Sequence, residues 1–111
     1  MITHQINCKD PWFSHLRNGT KTVEGRKNTH TYKRIRVGDR INFINGAESF
    51  LAEVTDIREY PSIEQYFEDV TLENALPGVK TLEEGLATYY AWTPKEKIEQ
   101  YGFLGIFIKP L

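Results

Sequence analysis

Residues 103–108 read Phe-Leu-Gly-Ile-Phe-Ile, and this run constrains the fold more than any other stretch. It is too short for a buried helix and too continuously apolar for a strand with one wet face. A segment of this kind needs cover on both sides, so it predicts a central strand near the chain's end. The rest of the sequence must therefore supply two neighbouring strands and an apolar layer for each face.

The first sixty residues supply strands. Ile2, His4, Ile6 and Cys8 alternate with polar neighbours, which predicts a strand with one buried face. Asp10 as N-cap and Pro11 at the first helical position open a helix of about two turns, on which Trp12, Phe13 and Leu16 share a face until Gly19 ends it. Extended runs are predicted over 21–26 and 32–37. Gly38-Asp39 then turns the chain into the alternating segment 40–44. Asn45-Gly46 predicts a tight hairpin returning through 50–60.

After Pro61 the period changes to helical. Ser62 caps a segment whose Ile63, Tyr66, Phe67 and Val70 fall on one face. A short turn over 71–76, a helix begun by Thr81 with Glu84 three residues on, and a last one after Thr93-Pro94 complete the set. Strand, helix, strands, helices, strand is the order of a mixed α+β fold with a small curved sheet, and 111 residues suit one domain spanning 1–111.

No apolar run approaches the roughly 20 residues of a membrane helix, and residues 1–4 show neither the basic nor the apolar part of a secretory signal. A cytoplasmic protein with no membrane association is the expectation. The single cysteine, Cys8, has no disulfide partner, and His4, His15 and His30 lack metal-ligand spacing, so no structural metal and no cofactor are expected. Cys8 reads as a small buried hydrophobe of the first strand.

The net charge of −1 hides an asymmetry. Residues 1–50 carry nine Lys or Arg against four Asp or Glu, whereas residues 51–111 carry five against eleven. The excess is densest over 17–40, where eight basic residues face only Glu24 and Asp39. Such a cluster suits phosphate, and the alternative is that it pairs with the acidic half or is simply solvated.

Residues 11–26 contain Pro11-Trp12 followed by Gly19, Lys21, Glu24 and Arg26 in a Gly-x-Lys-x-x-Glu-x-Arg arrangement. With Val37-Gly38-Asp39 and the Tyr101-Gly102 entry to the last strand, this resembles the signature of the ASCH superfamily over nearly the whole chain. The resemblance implies a PUA-like small mixed β-barrel with flanking helices and a cleft beside the first helix that binds RNA or a modified nucleoside. Some members are enzymes, among them amidohydrolases that deacylate N4-acetylcytidine with a lysine and a threonine three residues later. Lys21 matches that lysine, but Glu24 stands where the threonine belongs. Their downstream glutamate has Glu64 or Glu68 as candidate counterparts. Metal-assisted ribonuclease activity is a further alternative within the family, and a protein-docking module built on the acidic half is another.

The expected catalytic pair is thus Lys21 and Glu24, and the expected ligand contacts are Lys21, Arg26, Trp12 and Tyr66. In a regular strand Lys21 and Glu24 point to opposite faces, so they meet only where the backbone twists or bulges, which Gly25 would permit. A structural ion pair is the alternative for the trio, and core packing the alternative for Trp12. Tyr66, Tyr89, Tyr90 and Trp92 either stack a base over the cleft or pack their helices together.

Overall fold

The computed structural model describes residues 1–111. Strand β1 (Thr3–Asn7) leads to helix α1 (Trp12–Asn18), β2 (Val23–Lys27), the short α2 (His30–Lys33), β3 (Arg40–Asn45) and the long β4 (Glu48–Tyr60). Helices α3 (Ile63–Val70), α4 (Leu72–Ala75), α5 (Leu82–Tyr90) and α6 (Lys95–Tyr101) precede β5 (Phe103–Pro110). The five strands form one curled, half-barrel sheet in the order β1-β3-β4-β5-β2, parallel only between β1 and β3, within a PUA-like α+β fold.

Strand β5 lies between β4 and β2, as its composition requires. Leu104, Ile106 and Ile108 join one apolar cluster with Ile6, Phe13, Leu16, Ile41, Phe43 and Val54. Phe103 joins a second, built from Val23 and the α3, α4 and α6 residues Ile63, Tyr66, Phe67, Val70, Ala75 and Ile98. Strand alternation separates the clusters onto the two faces of β5, and each fully buried large side chain contributes about 1.5–3 kcal/mol.

Local signals decide most boundaries. Gly19 takes φ +86° and closes α1, and Gly46 takes φ +61° in the β3–β4 hairpin. The hydroxyls of Ser62, Thr71 and Thr81 accept from Gln65 N, Asn74 N and Glu84 N at the starts of α3, α4 and α5. Asp10 sits one residue before the cap of α1 and takes both the backbone N and the hydroxyl of Ser14.

The extended run expected over 32–37 does not form. Lys33 N donates to Thr29 O, making the turn of α2, and Asp39 Oδ2 takes Arg36 N to fold the following residues into a second turn. Only Ile35 of that stretch is buried, and the edge of β3 it would have paired with is taken by β1. No helix is long and apolar enough to cross a membrane.

Candidate functional site

Edge strand β2 carries the charged centre. Glu24 pairs with Ile106 and Arg26 with Leu104 across the ladder, so both side chains project onto the face of the sheet that carries the first apolar cluster. Arg26 Nε and Nη2 donate to Glu24 Oε2 at 3.1 and 2.8 Å, a fork on one carboxylate oxygen. The other oxygen, Oε1, lies 3.4 Å from Lys21 Nζ. Lys21 precedes the first residue of β2, and its backbone N donates to His15 O at the end of α1. Strand alternation therefore does not govern its direction, and the side chain reaches Glu24 without a bulge at Gly25.

Gly25 serves differently from expectation. A Cβ there would stand 2.6 Å from Phe103 Cε2 and 3.0 Å from the Tyr66 hydroxyl, so its value is the space it leaves for two rings of the second cluster.

The trio is deeply set. Lys21 is 1% exposed and Glu24 6%. Lys21 Nζ also donates to Ala75 O of α4. Arg26 Nη1 donates to the Tyr32 hydroxyl at 3.1 Å and Nη2 to Asn7 O at 2.9 Å. Burial pushes the Glu24 carboxyl up, but Arg26 and Lys21 outweigh it and hold the group below its usual range. Burial pushes Lys21 down, and the nearby Glu24 offsets this only in part. Burial opposes the charge of Arg26 as well, yet Glu24 holds it more firmly protonated than usual.

These groups form one wall of a cavity of about 370 Å³. Trp12 from α1, Tyr32 from α2, Tyr89 from the end of α5, Trp92 from the turn after it, and Phe103 from β5 supply aromatic surface around it. The volume falls in the range of small-molecule sites, and an apolar wall with a few convergent polar groups is the usual make-up of one. Cys8 also borders it, but burial, reinforced by Glu24, pushes its thiol up to about 12, so the thiolate that nucleophilic chemistry requires is suppressed.

The hydrogen-bond inventory defines what the wall can recognise. An ammonium has three N–H groups, and Ala75 O and Glu24 occupy two of those on Lys21. Glu24 Oε1 meets only Lys21 and retains acceptor capacity. One N–H of Arg26 Nη1 also has no protein partner. The arrangement is a donor and an acceptor side by side, with a fixed positive charge behind them.

Of the expected contacts, Lys21, Glu24, Arg26 and Trp12 all line this cavity. Tyr66 does not: it is fully buried beneath, its hydroxyl 3.1 Å from that of Tyr89, and Tyr89 takes the place at the wall. Of the aromatic residues proposed to cover the cleft, Tyr89 and Trp92 reach it and Tyr90 does not. Tyr32 was missed, because the stretch read as extended is a helical turn that swings its ring under the Arg26 guanidinium, 5.5 Å from the ring centre. Glu64 and Glu68, the candidate downstream glutamates, also lie away from the cavity wall. No three His, Cys, Asp or Glu side chains converge in a metal-binding group.

The basic stretch is largely unpaired with carboxylates. Arg17 meets Glu48 and Arg26 meets Glu24, while Lys27, Lys33, Arg34, Arg36 and Arg40 take part in no salt bridge. The reading in which it neutralises the acidic half does not hold.

A family model described as ASCH domain matches residues 6–110. The crystal structure of hypothetical protein PH0355 is similar over the full length of both chains, at 32% identity and a TM-score of 0.91. The solution structure of protein PF0455 from Pyrococcus furiosus is 33% identical over 98% of this chain and 97% of its own, with a TM-score of 0.83. ASCH from Zymomonas mobilis shares the fold at 13% identity, covering 97% of this chain and 69% of the other, with a TM-score of 0.68. No curated protein matches the sequence.

Proposed function

The chain belongs to the ASCH domain family, and from that premise we propose that it binds a nucleoside unit, free or carried in RNA, in the cavity beside α1. One observation carries the reading: the buried Lys21–Glu24–Arg26 cluster forms one wall of a cavity that Trp12, Tyr32, Tyr89, Trp92 and Phe103 also line. A nucleobase has a flat face for Trp12, Tyr89 or Trp92 and an edge with alternating donors and acceptors for Lys21 and Glu24. Arg26 acts behind that edge as a charge that stays positive at every working pH. The unpaired basic side chains of 27–40 supply attraction for a phosphate backbone.

Titration of the protein with the four ribonucleosides, N4-acetylcytidine and short single-stranded RNAs tests this. Binding by at least one probe, abolished in Lys21→Met and weakening with salt for the RNAs but not for the nucleosides, is the expected result. Absence of binding by every probe at millimolar concentration would overturn it.

Deacylation of an N4-acylated cytidine is the second reading, favoured by the full burial of Lys21, which lowers its hold on a proton and suits a lysine base. Glu24 is kept ionised by Arg26, so in this chemistry it would orient a water or amine rather than donate a proton. Incubation with N4-acetylcytidine and chromatography for cytidine decides the matter, since no release at high protein concentration removes it.

A further inference from the structure

The cavity beside α1 does not lie over one face of the sheet. Glu24, Gly25, Arg26 and Lys27, consecutive residues of β2, all border it. Side chains alternate between the faces of a strand, so a hollow above either face would meet every second residue. One that meets all of them runs along the strand's free edge, the edge away from β5. The ladder fixes what that edge carries. Thr22 O accepts from Ile108 N and Asn28 N donates to Gly102 O, so Glu24 and Arg26, in phase with them, turn their main-chain groups to β5. Val23, Gly25 and Lys27 turn theirs outward.

Gly25 has no side chain, so what it contributes to the cavity wall is main chain. Phe103 Cε2 and the Tyr66 hydroxyl cover one of its faces, 2.6 and 3.0 Å from where a Cβ would stand, and the Glu24–Arg26 fork crosses the other. The open direction is the edge itself, where Gly25 N–H and C=O point and where neither has a hydrogen-bond partner in the protein. Main-chain groups removed from bulk water are almost always paired, so a donor and an acceptor left together on a cavity wall point to a ligand that supplies the complement. The open stretch is too short to take an added strand, because Lys27 O already accepts from Thr29 N and Val23 is fully buried away from the cavity. It suits a flat group with a donor beside an acceptor on one edge.

Resting on the nucleoside reading of this cavity, we infer that Gly25 reads the Watson–Crick edge of the bound base through its main-chain N–H and C=O, alongside Lys21 and Glu24 of the same wall. Every base sets a donor beside an acceptor on that edge, and in a duplex the edge is occupied by the partner strand. The ligand is therefore an unpaired base, in a free nucleoside or a single strand.

The test takes the best-bound ribonucleoside of the panel and its analogue methylated at the ring nitrogen of the Watson–Crick edge. The expected result is roughly tenfold weaker binding of the methylated form, and a downfield shift of the Gly25 amide proton in isotope-labelled protein when the parent nucleoside is added. An ester variant in which glycolic acid replaces Gly25 removes the N–H without adding a Cβ. Its urea midpoint should match that of wild type, since no protein group uses that N–H, while nucleoside affinity falls roughly tenfold. Equal affinity of the methylated form, a Gly25 amide that ignores a bound nucleoside, or an ester variant that binds as well as wild type would each overturn the role of Gly25 while leaving the cavity's role intact. A lowered midpoint of the ester variant would overturn it too, by showing the N–H to be paired within the fold. If no nucleoside binds, the reading of the cavity fails and this inference falls with it.

Discussion

Arg26 Nη2 donates to the carbonyl of Asn7 at 2.9 Å, so the guanidinium that grips Glu24 also spans the two edge strands of the sheet, β2 and β1. The half-barrel is held across its open side by a side chain of its own candidate site. Binding and folding therefore share a residue, and variants must be chosen to separate them.

Arg26→Met removes both functions of that side chain and leaves Glu24 buried beside only Lys21. Breaking a buried pair from one side costs about 3–5 kcal/mol. Urea unfolding should show a loss of that order, and the triple variant Lys21→Met/Glu24→Met/Arg26→Met should recover a large part of it because no buried charge is then orphaned. A triple variant as unstable as the single one would contradict this account of the cluster.

Lys21→Met behaves in the opposite way. Glu24 keeps the Arg26 fork, and Met fills the space without a charge to desolvate, so stability should stay within about 1 kcal/mol of wild type while ligand binding disappears. Burial lowers the affinity of folded Lys21 for its proton below that of the unfolded chain. Wild-type stability should then gain from Lys21 as pH rises through the folded value toward the ordinary lysine range. The advantage of the Met variant, measured by urea midpoints, should be greatest near neutrality and shrink by pH 10.

Trp92 is 64% exposed and borders the cavity, so it has little structural work. Trp92→Ala should change the unfolding free energy by less than about 0.5 kcal/mol. If a base stacks on it, affinity falls by about 1–3 kcal/mol, read directly by calorimetric titration.

Gly25→Ala places a methyl group 2.6 Å from the Phe103 ring. The β2 and β5 backbones are held by their ladder, so the ring must move, at a cost of about 1–3 kcal/mol. Phe103 also lines the cavity, and a shifted aromatic signal in the NMR spectrum should accompany weaker nucleoside binding.

Asp39 ties the N-terminal segment to its own turn by accepting from His4 Nε2 at 2.8 Å, Ile2 N and Arg36 N. The His4 hydrogen bond, then the one from Arg36 N, hold its carboxyl down at about 2. A depressed carboxylate stabilises the fold fully above its unfolded value near 4 and loses that contribution as pH falls toward 2. Asp39→Asn should be less stable than wild type between pH 5 and 7, and the two denaturation midpoints should converge near pH 2.

Part of this was visible in the chain. The unbroken apolar run of β5, the alternation in β1 and β3, the Asn45-Gly46 hairpin and the Ser62 and Thr81 caps are local signals, and each produced the element it predicts. The Lys21, Glu24 and Arg26 trio was singled out by its resemblance to a family motif, whereas strand alternation alone set Lys21 and Glu24 on opposite faces. Tyr32 was not, since its segment carries strand-like residues whose edge partner had already been taken by β1. Tyr66 and Tyr89 could not be told apart either. Both are aromatic helical residues in one cluster, and only the tertiary packing puts one at the wall and the other beneath it.

The sequence by itself determined which segments could be strands or helices, which faces had to be covered, and where positive charge would gather, because periodicity, capping and composition act over a few residues. Tertiary structure alone decided that Lys21 donates to the carbonyl of Ala75, that Arg26 reaches Asn7, and that Asn28 holds Glu59. Those facts depend on groups 19 to 54 positions apart meeting at hydrogen-bond distance, and the strength of each charge there is set by burial that no local pattern encodes.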